Sequence, residues 1–175
     1  PELPRPALAL GARAALEGYL GGQTLLGGDV MLRLWLASRF GLELAAGGRA
    51  GLDVDTPRGR VRSWSLGAEL GPTFLLVSPP SPVRLEVFVV GRVAYVVYDA
   101  DASAGSIAQR ADGIAVIARA GLRAAFAIDR SELGVQIGVG VPLLGFDASD
   151  ESGAITGVSG LEVHAAITFL AEVLP

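Results

Sequence analysis

The chain has 175 residues, no cysteine and a single histidine. Without cysteine there are no disulfides and no thiolate metal sites, and the redox compartment is left open. One histidine among scattered acids is a poor basis for a metal centre. Lysine is missing too, so all fourteen basic residues are arginine, which suits buried ion pairs better than lysine does. The formal net charge is only −4 and no basic block occurs, so nothing recommends nucleic acid as a partner. Long apolar runs are also lacking. The composition is 51% hydrophobic with a mean hydropathy of +0.49, yet no stretch approaches the roughly 20 uninterrupted apolar residues of a membrane-spanning helix. The hydrophobicity is therefore dispersed by alternation.

Residues 83–98, VRLEVFVVGRVAYVVY, place Arg84, Glu86 and Arg92 on even positions and apolar residues or glycine on odd ones. That is the period-two signature of a strand with two unlike faces, and it is much longer than an ordinary strand of five or six residues. Seven further segments carry the same signature: residues 7–17, 29–37, 42–53, 62–73, 114–127, 133–143 and 160–170. The Ala-rich segments ALALGARAALEGYL and IAVIARAGLRAAFAI satisfy helix propensity as well, but their internal glycines and segregated arginines favour strands.

Across the eight segments, the apolar parity comprises 46 positions without a charge, amide, Ser or Thr. At the chain's average charge content about eight charged residues would fall there by chance. The opposite parity carries Arg13, Glu17, Arg33, Glu43, Arg49, Glu69, Arg84, Glu86, Arg92, Arg119, Arg123, Gln136, Glu162 and His164, interleaved with Gly and Ala. An eight-stranded barrel has an interior just wide enough to be filled by side chains. Forty-six mostly large apolar residues do not fit there, so they belong on the outside, in hydrocarbon, with the charges in a packed lumen. The fold expected is an all-β, up-and-down antiparallel transmembrane barrel spanning residues 7–175. Residues 1–6, PELPRP, read as an extended lead-in or the end of a linker. The inverted arrangement, a soluble lipocalin-like ligand-binding barrel, is the alternative.

Connections after the second, fourth and sixth strands are short (ASRFG, a turn containing SPPSP, and IDRSE). The others hold Gly, Asp and Ser clusters, the longest being residues 99–113. This asymmetry is that of bacterial outer-membrane barrels, whose short turns and chain ends are periplasmic. Tyr19, Phe40, Trp64, Phe74, Tyr95, Tyr98 and Phe146 fall near strand ends, as interfacial girdles would. Trp35 has lumen parity. Aligning strand midpoints sets Arg13 beside Glu162 and Glu86 beside Arg123.

The segment RFGLELAAGGRAGLDV, residues 39–54, resembles the turn-and-strand unit of small OmpA-type outer-membrane barrels, where an aromatic-Gly turn opens a strand alternating apolar residues with Gly, Ala or charge. The resemblance covers nearly the whole chain as architecture, and it transfers no functional residue to a numbered position. It implies a Gram-negative outer-membrane location and a bilayer of phospholipid and lipopolysaccharide as surroundings. One departure is that such barrels usually finish on a terminal aromatic, whereas Phe169 is followed by LAEVLP.

Catalytic and cofactor sites are not expected. His164 reads as a buried, hydrogen-bonded lumen residue near Glu162, the glutamates belong to a mixed-sign ladder, and the Gly-Gly pairs at 21–22, 27–28 and 47–48 lack any phosphate-loop pattern. The loop acids Asp99, Asp101, Asp147, Asp150 and Glu151 read as solvated charge. Three roles follow: a structural, anchoring or adhesion-type barrel; a narrow solute channel; or a membrane-embedded module of a larger envelope complex, with other envelope proteins as partners.

Overall fold

Alternation over long segments produces strands that pair edge to edge until the sheet closes. A computed structural model describes residues 8–56, 59–77, 83–102, 110–150 and 153–174. Eight strands form the wall: β1 (Leu8–Tyr19), β2 (Thr24–Trp35), β3 (Phe40–Gly51), β5 (Gly59–Val77), β6 (Val83–Ala102), β7 (Arg110–Ile128), β8 (Ser131–Leu144) and β11 (Glu162–Leu174). A short β4 (Val54–Thr56) extends the edge of β5, and β9 (Phe146–Asp150) with β10 (Gly153–Val158) makes a separate hairpin. Each wall strand is antiparallel to its chain neighbours, β3 pairs directly with β5, and β1 pairs with β11, which closes the ring. Closure gives every wall strand a paired neighbour on both sides, the condition a bilayer imposes on a sheet.

Both Ala-rich segments are strands, β1 and β7. Strand ends run further than sequence periodicity marks. β2 starts at Thr24 rather than residue 29, because TLLGG continues the ladder opposite β1, so the first connection is a tight turn at 20–23 with Gly22 at φ 93°. Residues 99–102 and 110–113 belong to β6 and β7, which shortens the expected long loop to residues 103–109, outside the described set. The lead-in 1–6 and the SPPSP turn also lie outside it. IDRSE is a tight hairpin turn with Asp129 at φ 52°, a left-handed conformation that Asp tolerates. β11 continues beyond Phe169 to Leu174.

The face assignment is settled by exposure. Leu66, Val135, Ile137, Val163 and Ile167 are each 58–60% exposed, whereas Arg13, Arg33, Glu43, Glu86, Arg119 and Arg123 are at most 2% exposed. The apolar parity points outward, and the lipocalin-like alternative is overturned. Phe40 pairs with Phe74 (centroids 5.2 Å) at the short-turn rim and Trp64 with Tyr95 (6.1 Å) at the loop rim, forming two partial girdles. Tyr19, Tyr98 and Phe146 are not girdle residues. They are drawn inward with Leu25, Val61 and Val158 into an apolar cluster beneath the β9–β10 hairpin, which folds over the loop-side mouth. Phe146 stacks on Tyr98 at 5.8 Å, and Gly113 leaves the space: a Cβ there would lie 2.5 Å from the Phe146 ring. The Tyr98 hydroxyl donates to the Phe146 carbonyl, and Thr156 donates to Gln23, fixing the hairpin to the wall.

An arginine at a lipid-facing midplane position destabilises a barrel by about 2 to 4 kcal/mol. Ile137→Arg is expected to lose that amount in denaturant titrations of the bilayer-reconstituted protein; unchanged stability would mean the outer face is not in hydrocarbon.

Candidate functional site: the charged lumen

Strand parity delivers the charges to the axis. Arg13 and Glu17 come from β1, Asp29 and Arg33 from β2, Glu43 and Arg49 from β3, Glu69 from β5, Arg84, Glu86 and Arg92 from β6, Arg119 and Arg123 from β7, Glu132 from β8, and Glu162 and His164 from β11. Among the described residues, seven arginines meet seven carboxylates in this lumen network. All seven arginines and the acids Glu17, Glu43, Glu69, Glu86 and Glu162 are legible from parity. Asp29 and Glu132 are not, because each sits at or before the strand boundary that periodicity suggests. They do share parity with Arg33 and Gln136, which is the signal that could have found them.

The contacts run mainly across the bore. At the short-turn end, Arg33 meets Glu132 at 2.6 Å and Glu43 and Glu86 at 3.2 Å, while Arg123 meets Glu43 at 2.7 Å and Glu86 at 3.0 Å. Arg84, less enclosed, reaches Glu132 at 3.2 Å. In the middle, Arg13 bridges Asp29 (2.7 Å) and Glu69 (2.8 Å), Arg119 also takes Glu69 (2.8 Å), and Arg92 approaches Asp29 at 3.6 Å. Toward the loop rim, Arg49 holds Asp29 at 2.7 Å and Glu17 at 3.2 Å, while Arg119 holds Glu17 at 3.1 Å and makes a close pair with Glu162. The Tyr19 hydroxyl lies within hydrogen-bonding distance of both Glu17 and Glu162, so it joins the polar ladder to the apolar cap. Room for these side chains comes from intervening glycines. A Cβ at Gly140 would fall 2.1 Å from a Glu162 carboxylate oxygen.

The Glu86–Arg123 neighbourhood occurs as expected, with the two residues in register. The Arg13–Glu162 neighbourhood does not: Arg13 faces Thr168, and Glu162 faces Tyr19. Equal-depth alignment fails because β1 and β11 both extend past their periodic segments, which slides the register. His164 is buried, opposite Glu17, but neither ring nitrogen has a hydrogen-bond partner within the protein, contrary to the expectation of a bonded histidine. Its ring lies within 4.8 Å of the Glu17 and Glu162 carboxylates, a grouping of metal-ligand type whose positive charge is supplied by Arg119. Trp35 lines the short-turn mouth, with the Arg33 guanidinium 5.7 Å from its ring centroid.

An inside-out, eight-stranded antiparallel barrel with an apolar exterior, aromatic pairs at both rims and a salt-bridged interior is the architecture of small outer-membrane barrels. Solved structures bear this out as fold. A major outer membrane protein from Thermus thermophilus superposes with a TM-score of 0.67 at 13% identity, covering 94% of this chain and 99% of that one. OprG from Pseudomonas aeruginosa gives 0.58 at 11% identity over 97% of each chain. Ail, the attachment invasion locus protein of Yersinia pestis, gives 0.54 at 8% identity over 95% and 96%. No family model matches the sequence, and no curated protein does.

Removing one member of a buried ion pair destabilises by about 3 to 5 kcal/mol, against about 0 to 1 kcal/mol for an exposed one. Arg123→Ala, which strips Glu43 and Glu86 of a partner, should therefore sharply lower the temperature of the heat-modifiable gel shift. Arg60→Ala, which breaks the exposed 2.7 Å contact to Asp55, should leave it nearly unchanged. Equal effects would refute the interior ladder.

Proposed function

We propose that this chain is an integral outer-membrane barrel with a structural, anchoring or adhesion-type role, non-catalytic and closed to solutes. The observation that carries this reading is the lumen itself. Cross-bore ion pairs between opposite walls, such as Arg13–Glu69, Arg33–Glu86 and Arg123–Glu43, occupy the axis of a barrel whose interior is only side-chain wide. The β9–β10 hairpin adds a second, apolar closure above the ladder. On this reading the short turns and both chain ends face the periplasm and the loop rim faces outward, a reading supported by the asymmetry of the two rims. Membrane lipid is the partner in contact with the apolar wall. The structures it resembles include an attachment and invasion protein, which is compatible with surface contact as a role for the loop rim.

The narrow-channel reading is separated by planar-bilayer recording. The intact chain is expected to give no unitary conductance, and neither is a variant lacking residues 146–158, since the ladder persists below the cap. Stable openings in the intact chain would replace the plug with a channel; openings only in the shortened variant would assign the seal to the hairpin.

A further inference from the structure

The wall is not equally tall all round. β5, β6 and β7 have 19, 20 and 19 residues, against 12 each for β1, β2 and β3. The extra length lies at the loop rim, and its outward parity changes abruptly from apolar to charged. Trp64 and Tyr95 close the apolar band, and one row beyond Trp64 sit Arg62, Asp99 and Arg110 in register across three strands. At about 3.3 Å per residue, that row lies about 7 Å past Trp64 along the strand, at headgroup depth if the aromatic pair marks the hydrocarbon boundary.

Strand spacing puts the Arg62 and Arg110 backbones about 10 Å apart, flanking Asp99. Both guanidinium side chains are 59% exposed. Arg110 lies 3.8 Å from Asp99 and beside the Tyr95 hydroxyl, and Arg62 reaches Asp101 at 3.3 Å and Asp53 at 3.6 Å, all at the solvent-exposed rim. Arg60, one row further out, is by contrast held by Asp55 at 2.7 Å. Exposed pairs of this kind contribute little, so both guanidiniums can turn to a better acceptor, and a phosphate offers the planar fork two oxygens at once.

We propose that the outward Arg62–Asp99–Arg110 row is a docking surface for the phosphate of a membrane lipid headgroup, with Trp64 against the top of that lipid's acyl region. The same physics accounts for the arrangement: two cations lie at the depth of lipid phosphates, just beyond the Trp64 row, where Asp112 already accepts a hydrogen bond from the Tyr95 hydroxyl at 2.7 Å. Asp99 keeps the row from attracting anions of every kind, and it sets the strength of the site by competing for Arg110.

This inference rests on the membrane reading, and the two fail differently. In native mass spectrometry of the detergent-solubilised full chain, titrated with diphosphorylated lipid A, the unaltered protein is expected to retain one lipid. The Arg62→Gln/Arg110→Gln variant should bind at least about 10-fold more weakly, and Asp99→Asn more tightly, with heat-modifiable mobility unchanged in both. Equal affinity of the double variant overturns the proposal, as does equal competition by inorganic phosphate, which would make the row a simple anion site. Loss of binding on chelation of divalent cations would overturn it as well, by transferring the contact to a metal-bridged Asp. A chain that never converts to the heat-modifiable form in lipid would instead sink the membrane reading.

Discussion

A lumen filled with ion pairs is what the rest of this molecule is organised around. Taking fourteen charged groups out of water is strongly unfavourable unless each finds opposite charge and hydrogen bonds. Seven guanidiniums against seven carboxylates remove the net charge, and sharing removes isolated pairs: Asp29 contacts Arg13, Arg49 and Arg92, and Arg119 contacts Glu17, Glu69 and Glu162. Because the bonds connect opposite walls, they fix the cross-section as well as the interior. Arginine is suited to this work, since its planar fork reaches two or three acceptors at once, as Arg119 does with Glu17, Glu69 and Glu162.

The exterior follows from the same constraint. A core made of charge leaves the apolar residues no interior to enter, so they face outward and require a medium that is not water. Exposed Leu, Val and Ile side chains cover the wall between the Phe40–Phe74 and Trp64–Tyr95 pairs. The conventional hydrophobic core is reduced to a small cluster of Ala9, Met31, Ala45 and Leu170 inside the barrel and to the cap beneath the β9–β10 hairpin, where Tyr19 has its ring among apolar side chains and its hydroxyl on the glutamates below. Tyr19 is the joint between the two kinds of interior.

What was readable in advance is uneven in an instructive way. Parity is a strictly local property, so the lumen residues could be read strand by strand. Asp29 and Glu132 escaped because they lie at the apparent strand starts, where glycine or turn residues blur the alternation, yet without them the ladder would hold seven arginines against five acids. The β9–β10 hairpin escaped for a different reason. Its residues 146–158 read as loop because they contain Asp, Ser and Gly, and it is the cavity above Tyr98 and Gly113 that gives Phe146 a place to go.

The sequence alone determined the eight wall strands and which of their side chains share a face, because a period of two forces successive residues to opposite sides of a strand. Register and partnership belong to the closed ring. Arg13 meets Asp29 and Glu69 rather than Glu162, and Arg123 reaches Glu43 on a strand 80 residues away. No local pattern encodes those distances. They are set when eight strands of unequal length close on one another, and the stagger of that closure decides which charges arrive at the same depth.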